Sequence, residues 1–352
     1  MKATFIHGVK EIRVQEVAKP EIIEATDGLV RVVRACVCGS DLWPYRGLDD
    51  YGVAAMGHEA IGVVEELGSS AAESELAVGD LVIIPFAYSD NACPNCEYGV
   101  HTACTHGGFF GGGAAGLGCQ AEYLRVPQIA GTAVAVPAGE YSEEQLADFL
   151  ALTDVMGTGY HAAKAAQVRP GATVAVVGDG AVGLSAVLSA KLIGAARVIV
   201  LGSKTTSRHE LARKWGADEI ITERGEDAVA KLLELTDGVG ADAVLECVGS
   251  DQSTDTSLAI VRAGGFVGRV GVPHTKDIPA AGTFFRNIGI HGGPAPVRAY
   301  LPELLQLTLD GEIHPGEVFD CTVQLDEIAA AYAAMDERRS IKAMVKVSEL
   351  SQ

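Results

Sequence analysis

Cys93, Cys96 and Cys104 stand close together, at a spacing that suits a metal ion held by thiolate sulfur. Farther along, the apolar run Thr173–Val177 enters Gly178-Asp179-Gly180-Ala181-Val182-Gly183, and a second apolar stretch follows at 184–193. A glycine loop between a strand and a helix can cradle a pyrophosphate. Gly178 would make the tight turn, Gly180 would let the backbone approach phosphate, and Gly183 would let helix pack on strand. The end of the next strand selects the dinucleotide, because NAD-binding units place there an Asp or Glu that accepts from the ribose 2′-OH. Here that end reads Val200-Leu201-Gly202-Ser203-Lys204, with no carboxylate and with Arg208 close behind. Gly202 leaves room, Ser203 can donate, and Lys204 and Arg208 carry positive charge. That set suits a 2′-phosphate, so NADP(H) is the expected cofactor.

These residues need a scaffold, and two textures supply it. Up to about residue 154, short β-branched runs at 29–33, 61–64 and 80–84 are broken by Gly, Pro and Asp, as in a β-rich, barrel-like domain. From about 155 to 289 the pattern becomes strand–helix–strand: strands at 173–177, 197–201, 219–221, 243–247 and 266–270, with helical runs at 184–193 and 207–215. That alternation predicts a parallel sheet covered by helices on both faces. From 294 the texture is mixed again, with helices expected at 300–309 and 326–335 and a closing strand at 343–347. The reading is an α/β chain with a discontinuous β-rich domain, residues 1–156 and 294–352, and an inserted doubly wound dinucleotide domain, residues 157–293. The glycine-rich segment 107–118 reads as a loop, since no helix follows to add its dipole to a phosphate site.

Composition narrows the classes. A chain of 352 residues is too long for one ordinary core. A net charge of −19 argues against nucleic acid or an anionic membrane as partner, because both select a basic face. The sequence opens without the basic-then-apolar pattern of a signal peptide and contains no apolar run of membrane-spanning length. Its eight cysteines are therefore expected to be reduced and partly metal-bound in the cytoplasm.

Further motifs precede the loop: Cys38-Gly39-Ser40-Asp41, then Gly57-His58-Glu59 with Gly62 and Gly68, then Val78-Gly79-Asp80. In this order, with the cysteine cluster and the dinucleotide loop after them, they resemble the zinc-dependent medium-chain alcohol dehydrogenases of the bacterial, NADP-using type. The likeness covers essentially the whole chain. It implies a GroES-like domain first and last, with a Rossmann domain inserted. It also implies catalytic zinc on Cys38, His58 and Asp154, with Glu59 beside them as a neighbour or exchanging ligand. One thiolate, one imidazole and one carboxylate would leave the fourth tetrahedral position open, as catalytic zinc requires. The family's structural zinc uses four cysteines; here Cys93, Cys96 and Cys104 hold the last three places and Asp90 the first. An oxygen ligand completes such a site, the alternatives being a metal-free lobe or completion by His101 or His106.

Ser40 matches the hydroxyl that starts the family's proton relay, and Trp43 stands where a histidine is frequent. Trp43, Phe86 and Phe110 are the expected walls of an apolar substrate pocket. Lys342 falls where relatives keep a basic residue near the cofactor pyrophosphate, and Thr158 is carried over as a cofactor contact. The implied function is hydride transfer between NADP(H) and a small alcohol, aldehyde or ketone, by a homotetramer. Rival readings are a polyol or glutathione-adduct dehydrogenase, a zinc-free quinone reductase, which should lack the ligand residues, and a non-enzymatic NADP or zinc sensor.

Overall fold

The computed structural model describes residues 1–111, 118–274, 278 and 280–350. It divides into two compact units, Met1–Asp154 with Pro296–Gln352, and Val155–Ala295.

The first unit is built on the strand Gly28–Val37, a β-branched run broken by Arg31 and Arg34 and buried on both faces along almost its whole length. Ala60–Leu67 and Tyr123–Val126 pair with it antiparallel, and Leu81–Ile84 and Val134–Ala135 extend the sheet beyond Ala60–Leu67. Lys342–Lys346 also lies antiparallel to it, with Ala343 opposite Val37, and runs parallel to Phe319–Gln324. The C-terminal segment therefore completes the sheet of the N-terminal one. A smaller sheet joins Lys2–Gly8 to Glu11–Glu16 and Ala54–Ala55. Val30, Val32, Ile84, Leu124, Tyr332 and Val345 form part of the buried core. The helix Glu143–Ala151 starts at Ser142, whose side chain and that of Gln145 cap each other's backbone. It delivers the chain to Thr153 and Asp154.

The second unit holds six parallel strands in the order Glu219–Ile221, Arg197–Leu201, Thr173–Val177, Ala241–Glu246, Val261–Arg269, Gly289–Gly292. Its first strand, Thr173–Val177, has the second strand on one side and the fourth on the other. The crossovers diverge there, which opens a crevice at the carboxyl ends of the strands. Ala175, Ile199, Val244 and Leu232 belong to its core. Gly289–Gly292 is a strand that sequence periodicity does not reveal: it is a glycine-flanked edge with too little apolar pattern to register. Among the described residues, no helix is long and apolar enough to cross a membrane.

Candidate active site and dinucleotide loop

Cys38 closes the turn after Gly28–Val37, His58 and Glu59 precede Ala60–Leu67, and Asp154 follows the capped helix. These separate segments of one unit bring their ligand atoms within 4.8 Å of one another. Cys38 Sγ lies 3.7 Å from Asp154 Oδ2, and His58 Nε2 lies 3.4 Å from the same oxygen. His58 Nδ1 faces Asp41 Oδ1 at 3.4 Å, which leaves Nε2 as the nitrogen turned to the cluster. Asp41 in turn accepts from the Cys38 backbone N–H (2.9 Å) and from Gln120 Nε2 (3.3 Å), and Tyr332 donates to Gln120 Oε1 at 3.0 Å. A carboxylate that orients a histidine from behind is the usual support of a metal-bound imidazole. Burial works against a charged His58. The charges of Asp41 and Cys38 and the hydrogen bonds to Asp154 and Asp41 outweigh it and raise the pKa well above its ordinary value. The donors gathered here, one thiol, one imidazole and two carboxyl groups, fit zinc.

Glu59 is fully buried, with Oε1 3.9 Å from His58 Nε2. Thr153 Oγ1 donates to its Oε2 at 3.3 Å, and Lys342 Nζ to its Oε1 at 2.7 Å. Lys342 is wholly buried and also donates to the Val37 carbonyl at 3.3 Å. Burial disfavours the ammonium, but electrostatic attraction to Cys36, Glu59, Cys38 and Asp154 holds its pKa well above the ordinary lysine value. Its charge is committed to Glu59, in a pair that joins the C-terminal strand to the cluster.

Ser40 is half-buried in the turn between Cys38 and Asp41, and Trp43, on the helix Leu42–Tyr45, is half-buried beside it. Of the aromatic residues, Phe86 meets the His58 ring edge-on at 6.3 Å and stacks on Phe109 at 6.0 Å. Phe110 departs from expectation. It is buried in the barrel core against Tyr88, while its neighbour Phe109 is turned outward. Phe109 ends the two-residue strand Gly108–Phe109 and Phe110 follows it, and a Phe-Phe pair in sequence carries no signal of which one faces inward.

The second cluster gathers Asp90, Cys93, Cys96 and Cys104 within 4.8 Å. Cys93 Sγ is 3.6 Å from Cys96 Sγ and 3.8 Å from Cys104 Sγ. Asp90 Oδ1 accepts from the N–H groups of Ala92 and Cys93, and its Oδ2 lies 2.6 Å from His106 Nδ1. Burial would raise the Asp90 pKa, yet these donors hold it far below the carboxylate range. The backbone N–H groups of Thr105 and Cys96 help pull the Cys93 thiol down to about 6. Three thiols and one ionised carboxylate fit a closed zinc site. His101 stands apart from it, its Nε2 2.7 Å from Asn91 Oδ1. The glycine-rich segment nearby is described at 107–111, where Gly108–Phe109 pairs with Ala87–Tyr88; residues 112–117 lie outside the described residues.

In the second unit the loop glycines take three roles. Gly178 has φ +112°, a Cβ on Gly183 would sit 2.1 Å from the Gly178 carbonyl oxygen, and a Cβ on Gly180 would meet nothing within 4 Å. They provide a turn, a close packing of helix on loop, and an open approach for phosphate at the head of the helix Ala181–Ile193. Thr158 is buried on the helix Val155–Ala165 of the same unit. At the end of Arg197–Leu201 the structure adds a residue that spacing does not reveal. Asp179, inside the glycine loop, reaches across and accepts from Ser203 N at 2.6 Å and from Ser203 Oγ at 2.5 Å. Arg208 Nη1 donates to the Asp179 backbone carbonyl at 3.0 Å and lies 3.6 Å from its Oδ1. The room left by Gly202 is thus filled by the Asp179 side chain.

Comparison with known proteins gives one answer along the chain. Residues 24–138 match the alcohol dehydrogenase GroES-like domain and residues 181–310 the zinc-binding dehydrogenase domain. The chain is 36% identical to a probable zinc-binding alcohol dehydrogenase of Mycobacterium tuberculosis, over 96% of this chain and 86% of that one. An alcohol dehydrogenase of Thermus sp. ATN1 superposes with a TM-score of 0.90 at 32% identity, covering 99% of this chain and 100% of the other. A zinc-dependent alcohol dehydrogenase of Streptococcus pneumoniae superposes with a TM-score of 0.88 at 30% identity, covering 99% of each.

Proposed function

The chain belongs to the zinc-dependent medium-chain alcohol dehydrogenase family, and from that premise we propose that it transfers a hydride between NADP(H) and a small alcohol, aldehyde or ketone. The observation that carries the reading is the cluster of Cys38, His58, Glu59 and Asp154, with its imidazole held from behind by Asp41.

Cys38, His58 and Asp154 would hold the zinc. A bound zinc supplies Lewis-acid polarisation of an alcohol or carbonyl oxygen. Asp41 keeps a proton on His58 Nδ1, so that Nε2 offers its lone pair to the cluster. Lys342 and Thr153 donate hydrogen bonds to the Glu59 carboxyl group and fix it next to that position. The Ser40 hydroxyl, two residues from Cys38, would accept the substrate hydroxyl proton during oxidation while passing its own proton on towards solvent, and would run the same exchange in reverse during reduction. Trp43, Phe86 and Phe109 present apolar surface that keeps bulk water from the reacting atoms.

In the second unit, Gly178, Gly180 and Gly183 would admit the pyrophosphate, with Thr158 as a further contact. The cations Lys204 and Arg208 support NADP(H) over NAD(H). We read the lobe of Asp90, Cys93, Cys96 and Cys104 as a structural zinc site, and the protein as a cytoplasmic homotetramer. Phe284 and Phe285, 75% and 81% exposed just before the edge strand Gly289–Gly292, are apolar surface that a partner subunit would cover. Metal analysis of pure protein, combined with NADPH and NADH oxidation across ketones and aldehydes, tests the reading. Zinc with carbonyl-dependent oxidation supports it; zinc-free protein, or no turnover on any carbonyl, overturns it.

A further inference from the structure

A buried carboxylate is out of place where a 2′-phosphate is expected. Asp179 is one, and four observations define what it does. Its side chain occupies the space that a side chain at Gly202 would need: a Cβ there would lie 2.8 Å from Asp179 Oδ2 and 3.0 Å from Asp179 Cγ. Gly202 itself has no left-handed backbone that would demand glycine, so the constraint on that position is room for Asp179. Both donors that Ser203 could offer a ligand, N–H and Oγ–H, already point at Asp179 Oδ2. Arg208, the nearer of the two cations to this carboxylate, is 3.6 Å from Asp179 Oδ1. The acid that other dinucleotide domains carry at the strand end has, in this chain, moved to the glycine loop and arrives at the same place by another route.

We propose that Asp179 is the specificity-determining residue of the adenosine ribose subsite, an acceptor for the ribose hydroxyls that limits how far the chain prefers NADP(H) to NAD(H). The proposal rests on the dinucleotide reading of the glycine loop. Lys204 and Arg208 favour a 2′-phosphate, while Asp179 repels it, competes for Ser203 and shares Arg208. The native chain then discriminates less than its cations alone would make it. Removing the charge releases Ser203 and Arg208 to the phosphate and weakens the contact to an unphosphorylated ribose.

The test is direct binding of NADPH, NADH and 2′,5′-ADP, by calorimetry or protein fluorescence, to the zinc-loaded parent and to Asp179→Asn. One charge-assisted bond to the phosphate is worth about tenfold or more, so the ratio of Kd for NADH to Kd for NADPH should rise about tenfold in Asp179→Asn, with 2′,5′-ADP tightening in step. Matched thermal stability of parent and variant establishes that the variant is folded. A second pair keeps the idea exposed if Asp179→Asn misfolds: Gly202→Asp alone should be destabilised by collision with Asp179, and Asp179→Gly combined with Gly202→Asp should fold and favour NADH. A ratio that stays constant or falls in Asp179→Asn would show that Asp179 merely braces Ser203 and Arg208, and overturns the proposal. Failure of the parent to bind either dinucleotide would overturn the reading beneath it as well.

Discussion

Lys342→Met should destabilise the zinc-loaded protein by about 3–5 kcal/mol, the range found when one partner of a buried ion pair is removed. The structure sets the scale. Nζ and Oε1 are 2.7 Å apart, and the two side chains are 1% and 0% exposed. At an effective dielectric of about 20, two unit charges at that distance attract by about 6 kcal/mol. The substitution removes this attraction and leaves Glu59 with neutral hydrogen-bonding neighbours, the Thr153 hydroxyl and the Cys36 thiol. Methionine preserves most of the lysine's volume, so cavity formation adds little. Glu59→Gln should cost a similar amount by stranding the ammonium, and the double variant should lose less than the sum, because each single change already breaks the pair. Guanidinium titration of the four proteins completes the cycle, with zinc content measured on each. A loss below about 1 kcal/mol for Lys342→Met, as exposed pairs give, would refute the account of Lys342 as the residue that holds Glu59.

Four further outcomes follow from the same geometry. His58→Ala and Asp154→Ala should each lower turnover by about a hundredfold or more, with dinucleotide affinity measured by titration unchanged, since the ligands and the glycine loop belong to different units. Cys96→Ser should reduce the zinc content from about two to about one per chain and lower the unfolding temperature more than it lowers kcat. Gly183→Ala should cost about 1–3 kcal/mol of stability and weaken dinucleotide binding, because its Cβ would press to 2.1 Å from the Gly178 carbonyl oxygen. His161 is the pH-dependent case. Burial, aided by His291, lowers its pKa from 6.5 to about 4, so between those values the unfolded chain binds a proton that the folded one refuses. Its contribution is complete above pH 6.5, is lost as pH falls towards about 4, and levels off below. Relative to the parent, His161→Gln should therefore lose about 3 kcal/mol less stability across that window in denaturant titrations, and parallel curves would reject the assignment.

Local pattern was enough to place most of the chemistry. The strand Thr173–Val177, the glycine loop and the helix behind it form one contiguous unit, so hydrophobic periodicity and glycine spacing reveal it directly. Cys93, Cys96 and Cys104 lie within one short segment, and Asp90 joins them from three residues upstream of Cys93. The two textures of the chain likewise predict the insertion of one unit into the other, because strands buried in a parallel sheet and strands of a barrel differ in what lies between them.

What sequence could not supply was the meeting of side chains far apart in the chain. Lys342 and Glu59 are 283 residues apart, and only the antiparallel register of Lys342–Lys346 on Gly28–Val37 brings that ammonium beneath the cluster. Phe109 is exposed and Phe110 buried because the chain leaves its two-residue pairing with Ala87–Tyr88 at Phe109 and turns into the core. Asp179 and Ser203 are 24 residues apart on neighbouring parallel strand ends. Spacing identified an open, carboxylate-free subsite at Gly202, yet the fold brings a carboxylate into it from the adjacent loop. The charge at a site is the sum over every element that reaches it, and that sum exists only once the chain has folded.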